Sequence, residues 1–271
     1  MGLTFHNSFF AQHPVMHDGF PDPRFPMPSP RIPMLATDLL LLALDDERGT
    51  VLSQAAIGLD YGLAGAIVME LALRGHIRID NEAVSTIGPA TNDALLDDAL
   101  RVIAATPGKN LSHWVWHLSR DLGGLRQRLL DRLVAQGTLE KRERRVLLLF
   151  HQDVYPERDA RVEHDIRTRV DNALLHGATP DAQTACLLHL AAACRVIDAI
   201  YPRDQHKAID ARIETLGDAG LAGANAVADL VAQADTAAVT AATMAAITAS
   251  TIAATTAATT AACAASSVAC H

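Results

Sequence analysis

Apolar residues recur mostly at helical spacing along this chain, with two short departures at strand spacing. The leucine-rich run 39–44 follows Thr37 and Asp38, which the pattern places as the cap of a first helix. Residues 45–49, Asp-Asp-Glu-Arg-Gly, read as a turn. A second helix is expected over 60–74, small-sided at Gly62, Ala64, Gly65 and Ala66 and larger from Ile67 to Leu73. Gly75 suits the left-handed position that closes a helix. Ile77 and Ile79 then alternate with polar residues, which predicts a short strand over 76–80 and a loop or ribbon over 81–91. Further helices are expected over 94–104, 110–119, 122–135, 160–175, 180–200 and 206–215, with a last one over 222–252.

The run 133–139 repeats the order seen at 71–77: helix, glycine stop, strand. A charged stretch, 140–145, and an unbroken apolar run, 146–150, follow it. This order predicts a β-hairpin with a charged tip, its apolar run buried as a core strand or reaching a neighbour or a bilayer. Residues 1–34 hold seven of the twelve prolines and five of the six phenylalanines, a density that forbids a helix or a central strand. The expected organisation is a Pro/Phe-rich disordered tail at 1–34, a helical domain at 35–250 and an Ala/Thr/Ser tail at 251–271.

Composition narrows the function classes. With 49% apolar and 20% charged residues the chain is globular, and 4% aromatic residues lean towards helices. Four cysteines without a Cys-x-x-Cys pair argue against a disulfide scaffold or a zinc ribbon. A net charge of −8 excludes a globally basic nucleic-acid binder, though not a local basic patch. Only three of 23 basic residues are lysine, which with the heavy alanine usage points to a GC-rich, bacterial source. No basic start followed by an apolar core marks a leader. The Ala/Thr-rich C-terminal stretch gains too little on insertion to be expected to span a bilayer.

Five stretches carry a resemblance: LATDLLLLALDDERG at 35–49, GLAGAIVMELALRGHI at 62–77, ALLDDAL at 94–100, RQRLLDRLVAQGTL at 126–139 and VLLLF at 146–150. In order and spacing they resemble the Golgi phosphoprotein 3 (GPP34) family. The resemblance implies a mostly α, single-domain helical bundle with short strands and a β-hairpin that serves oligomerisation and membrane contact. It implies a peripheral, non-enzymatic protein of the cytoplasmic membrane face, on the Golgi in eukaryotic members. Such a protein binds phosphatidylinositol 4-phosphate and grips the cytosolic tails of membrane proteins. The family pocket uses a tryptophan and three arginines. Their positions fall here on Ala55, Ala64, Gly123 and Arg126, so Arg126 alone carries the family residue.

Charge adds a looser version of the same expectation. Between Arg120 and Arg145 eight basic residues face four acidic ones, a local excess of four positive charges. Arginine's planar fork suits phosphate, and each basic side chain near an anionic surface contributes about 1 kcal/mol. The expected lipid contacts are Arg126, supported by Arg128 and Arg132. The expected membrane or oligomer hairpin contacts are Arg142, Arg144 and Arg145 at its tip, with Leu148 and Phe150. The competing reading is a helix face with internal ion pairs, such as Arg128 with Asp131.

Other constellations carry less. His113 and His117 share a helix face but lack the further ligands of a closed metal site. Cys186, His189 and Cys194 sit on an Ala/Leu helix as buried small side chains. Glu70, Asp97 and Asp98 have no second reacting group assigned. No catalytic residue, metal or cofactor is therefore expected. The alternatives are a cytosolic protein-interaction module without lipid binding, or a winged-helix-like DNA-binding regulator. The regulator would need one of the glycine-stopped helices to be exposed and basic; nucleic acid is not the expected partner.

Overall fold

The computed structural model describes residues 33–80, 83–146 and 150–216. Along the chain these form α1 (Leu35–Leu42), α2 (Leu59–Leu73), β1 (Ile77–Asp80), β2 (Ala83–Thr86), α3 (Ala94–Ala105), α4 (Leu111–Asp121) and α5 (Leu125–Ala135). Then follow β3 (Arg142–Val146), β4 (Phe150–Val154), α6 (Ala160–Leu174), α7 (Ala182–Ala193), α8 (Val196–Ile200) and α9 (Arg203–Glu214). The fold is mostly α, with two separate antiparallel hairpins, β1–β2 and β3–β4. The tail at 251–271 and the helix expected at 222–252 lie outside the described residues. So does the N-terminal tail, except for Pro33 and Met34, and Met34 is buried in the core.

Helix α1 is apolar on almost every face, and all eight of its residues are buried. A helix without a polar face belongs at the centre of a bundle, and α1 packs on α2, α5, α6 and α7. It starts at Leu35, not at Thr37-Asp38 as the polar pair suggested. The cap comes instead from the neighbouring helix: the Leu35 N–H donates to Glu70 Oε2 of α2 at 2.8 Å. A carboxylate there satisfies an open helix N–H and favours the positive end of the dipole. Thr37 and Asp38 lie inside the core. Thr37 Oγ1 donates to the Met34 carbonyl, and Arg169 of α6 donates to Asp38 at 2.8 Å.

Helix α2 is also central, with eleven of its fifteen residues buried. Its small face admits α7 closely: a Cβ on Gly62 would lie 2.1 Å from Cys194 Sγ at the end of α7. The amphipathic helices form the outside. On α3 the buried residues are Leu95, Leu96, Ala99, Leu100 and Ile103, a single stripe at helical spacing. Asp93, Asn110, Asp159 and Asp181 cap α3, α4, α6 and α7 by accepting N–H groups of the first turn.

Three further boundaries differ from expectation, the first being α9, which starts at Arg203 rather than at 206. The helix expected over 180–200 is broken into α7 and α8 at Arg195, which takes a left-handed φ of 59°. The stretch 122–135 starts its helix only at Leu125, because Gly123 and Gly124 both turn with positive φ.

The β3–β4 hairpin leaves the body and returns to the same point. Glu140 N–H donates to the Pro156 carbonyl at 3.0 Å, and Arg158 N–H to the Thr138 carbonyl at 2.9 Å. The turn after α1 clamps this base, since Tyr155 N–H donates to the Gly49 carbonyl at 2.8 Å.

Candidate membrane-facing site

The hairpin register corrects the expected layout. Arg142 pairs with Val154, Arg144 with Gln152 and Val146 with Phe150. The arginines therefore lie along strand β3 and not at the tip. The run 146–150 is not one strand; it straddles the point where the chain reverses. The physical reason is register: once Arg142–Arg145 pair with 151–154, reversal must fall within the apolar run. Leu148 lies outside the described residues, as do the side chains of Val146 and Phe150.

Lys141 to Arg145 and His151 to Asp153 are all exposed, so the ribbon buries neither face between these residues. Arg142 meets Glu140 at 2.8 Å and Lys141 meets Asp153 at 2.7 Å. The partner lowers the Glu140 carboxyl below its ordinary range, and Asp153 raises the Lys141 ammonium. Among the described residues no carboxylate meets Arg144 or Arg145. These two are the open positive charges of the hairpin.

Helix α5 treats its arginines differently. Arg126 donates to Asp60 Oδ1 of α2 from Nε at 2.9 Å, and its Nη2 lies 2.8 Å from the same oxygen. Arg128 Nη2 donates to Asp98 Oδ2 of α3 at 2.6 Å, and Arg101 takes the other oxygen at 2.9 Å. Arg132 meets both oxygens of Asp93 at 2.8 Å and touches Met34 sulfur. The three do not converge: Arg126 faces α2, whereas Arg128 and Arg132 brace α5 against α3. Hydrogen bonds from Arg128 and Arg101 hold the Asp98 carboxyl below its ordinary range. Burial pushes Asp93 up, but Arg132 and the Leu95 and Leu96 N–H groups outweigh it and leave its carboxyl lowered.

The local excess of four positive charges is thus matched by Asp60, Asp93, Asp98 and Asp153, all from outside the segment. The ion-pair reading holds, but its partners are tertiary. Arg128 pairs with Asp98, and Asp131 is instead hydrogen-bonded by Gln127. Sequence reasoning missed Asp60, Asp93 and Asp98 as partners. Only Asp93 left a signal, as a capping residue just before an apolar periodic run.

The remaining pocket positions are equally plain. Ala55 and Ala64 are buried with no exposed surface. Gly123 is exposed with φ 55°, and nothing stands within 4 Å of where its Cβ would be. Nearby on α4, the Arg120 guanidinium lies 4.9 Å from the ring centre of the exposed Trp116, and His117 meets Asp121 at 2.8 Å. No three His, Cys, Asp or Glu side chains group as metal ligands among the described residues. Burial pushes the Cys186 and Cys194 thiols up to about 12, which makes them inert. Glu70 is a helix cap, and Asp97 accepts the Thr91 N–H.

A family model, Golgi phosphoprotein 3 (GPP34), matches the chain over residues 35–234. The chain belongs to the Golgi phosphoprotein 3 family. Two relatives are vacuolar protein sorting-associated protein 74 of Schizosaccharomyces pombe and of Eremothecium gossypii. The first is 29% identical over 159 residues, 51% of this chain and 47% of that protein. The second is 28% identical over 160 residues, 51% of this chain and 48% of that protein. The chain spans about half the length of the curated relatives it matches. The GPP34 match embraces every described helix, and within it α2 is buried and the arginines of α5 are ion-paired. Neither glycine-stopped helix therefore offers the free basic face that the DNA-binding alternative required. No helix of the described residues is long and apolar enough to cross a membrane.

Proposed function

We propose that the protein attaches peripherally to the cytoplasmic face of a membrane and acts there as an adaptor rather than an enzyme. The observation that carries this reading is the exposed β3–β4 ribbon. It presents Arg144 and Arg145 without carboxylate partners among the described residues, beside a chain reversal set in an apolar run. Basic side chains bring such a ribbon to anionic lipid, and apolar residues at its turn gain by leaving water. Arg142, Leu148 and Phe150 belong to the same contact. Arg126 is the phosphate-reading residue on the body; Arg128 and Arg132 support it by fixing α5.

Family membership supports anionic phospholipid as the ligand, with phosphatidylinositol 4-phosphate as the family's lipid, and cytosolic tails of membrane proteins as clients. The unpaired edges of a two-stranded ribbon also suit a second copy of the chain. We read residues 35–250 as the functional domain of a bacterial family member, with 1–34 and 251–271 as its tails.

Vesicle co-sedimentation tests the reading. Neutral, phosphatidylglycerol-containing and phosphatidylinositol 4-phosphate-containing vesicles are compared at low and physiological salt. Salt-sensitive binding to both anionic kinds is expected, weakened by Arg144→Glu with Arg145→Glu. Absence of binding at low salt would leave the second reading, a protein-interaction module without lipid. That reading is favoured by Ala55, Ala64 and Gly123 at the pocket positions and by the carboxylate already on Arg126.

A further inference from the structure

We propose that Asp60 is an internal competitor at Arg126: its carboxylate holds the guanidinium edge that a lipid phosphate oxyanion would take. The site then opens by exchanging one anion for another. This inference rests on the membrane reading above and concerns the regulation of that same site.

The three ion pairs of α5 differ in how firmly their carboxylates are committed. Asp93 caps α3, accepting from the Leu95 and Leu96 N–H groups, so Arg132 rests on an anchored group. Asp98 is shared between Arg128 and Arg101. Asp60 has neither tie. It sits in the first turn of α2 without capping it, since the cap position is Gly58 and no side chain bonds there. Its bond to Arg126 is its one side-chain bond to another described residue. Its side chain keeps 55% of its surface exposed, and that of Arg126 keeps 31%.

Chemistry makes the exchange even-handed. Arg126 grips Asp60 through Nε and Nη2, an edge that meets a phosphate oxygen as readily as a carboxylate oxygen. Neither charge is buried, so breaking the pair strands no group away from water. An exposed pair is held only weakly. The exposed side chains leave the pair accessible from solvent. Asp60 acts twice against a membrane-borne anion, by occupying the guanidinium and by repelling the surface.

The test uses the full chain and phosphatidylcholine vesicles with or without phosphatidylglycerol or phosphatidylinositol 4-phosphate. Asp60→Asn, Arg126→Ala, the double variant and Asp210→Asn are compared with the wild type. Asp210→Asn changes the net charge equally from an exposed position on α9. Circular dichroism verifies that each variant folds, and Asp60→Ser serves if Asp60→Asn does not. Asp60→Asn is expected to bind anionic vesicles about fivefold more tightly, the effect of about one surface charge. The double variant should lose that gain, and Asp210→Asn should show none. Binding by Asp60→Asn where the wild type binds none also supports the inference.

Equal binding by Asp60→Asn and a wild type that does bind overturns the inference and leaves the membrane reading standing. A gain that survives Arg126→Ala, or that Asp210→Asn matches, overturns it as a bulk charge effect. No binding by any form at low salt overturns both. Inorganic phosphate, added at the concentration of accessible lipid phosphate, separates the two sources of oxyanion. It leaves the gain intact if the site takes a headgroup. It abolishes the gain, and overturns the inference for a membrane, if the site takes free phosphate.

Discussion

In the helical body, Asp38 and Glu163 are buried carboxyls, each with an arginine laid against it; on β3, Arg144 and Arg145 stand in water with no carboxylate beside them among the described residues. The body spends its arginines on joining helices. Arg169 ties α6 to α1, Arg128 and Arg132 tie α5 to α3, and Arg126 ties α5 to α2. On the hairpin, Arg142 meets only its near neighbour Glu140, and Arg144 and Arg145 join nothing among the described residues. Position in a charged run therefore says little about what a charge does; the element on the other side of it decides.

The contrast can be broken most forcefully at the clamp between the two regions. Gly49 has φ 62°, and a Cβ there would lie 2.3 Å from the Pro156 nitrogen. Gly49→Ala is expected to cost about 3 kcal/mol or more, since backbone and not a flexible side chain stands in the way. Thermal unfolding would record the loss. Hydrogen exchange should show early opening at Tyr155, which donates to the Gly49 carbonyl.

A smaller effect belongs to the α2–α7 contact. Gly62→Ala should destabilise by about 2 kcal/mol through overlap with Cys194 Sγ. Cys194→Ala in the same chain removes the overlapping atom, so a double-mutant cycle should show coupling of about 1 kcal/mol. Strict additivity would mean that the two helices separate instead.

Glu163 sharpens the comparison through pH. Burial pushes its carboxyl up to about 7; Arg167 opposes this, while Asp46 and Glu157 add to it. Between pH 4.5 and about 7 the folded chain thus holds a proton that the unfolded chain releases. Stability from this group is greatest below that window and falls as pH rises through it. Glu163→Gln should flatten the slope and raise stability at pH 8 by about 1 kcal/mol, as seen in denaturant titrations at several pH values. An unchanged slope would show that Arg167 keeps the group ionised throughout.

The hairpin should give the smallest change in stability and the clearest change in attachment. Arg144→Ala with Arg145→Ala is expected to alter stability by less than about 0.5 kcal/mol, as exposed positions do. The same variant should bind anionic vesicles several-fold more weakly. A large drop in stability would place these arginines in an internal role.

Much of the body could be read from the chain alone. The apolar stripes of α3 and α6 announced their helices to within a residue, because an amphipathic helix writes its burial into its period. Where burial is complete the period vanishes. In α1, Thr37 and Asp38 looked like an exposed cap, although their partners lie in Met34 and Arg169. Nothing local foretells the break at Arg195, because a non-glycine residue rarely takes positive φ. The apolar run at 146–150 reads from the chain alone either as a buried core strand or as a run reaching a neighbour or a bilayer; pairing shows that it is not one strand, because the reversal falls within it. The partners of Arg126, Arg128 and Arg132 lie 30 to 66 residues away along the chain. No local pattern reaches that far.

Because Thr138 and Glu140 are zipped to Pro156 and Arg158, the body does not register how long the excursion between them is. The ribbon is in effect a ruler. One more residue pair in β3 and β4 would carry the turn outward by about 3.4 Å and leave every helix where it stands. It would also exchange the faces on which successive side chains project. Stand-off from whatever the turn touches is thus a quantity that can change in fixed steps, independently of everything that keeps the molecule folded.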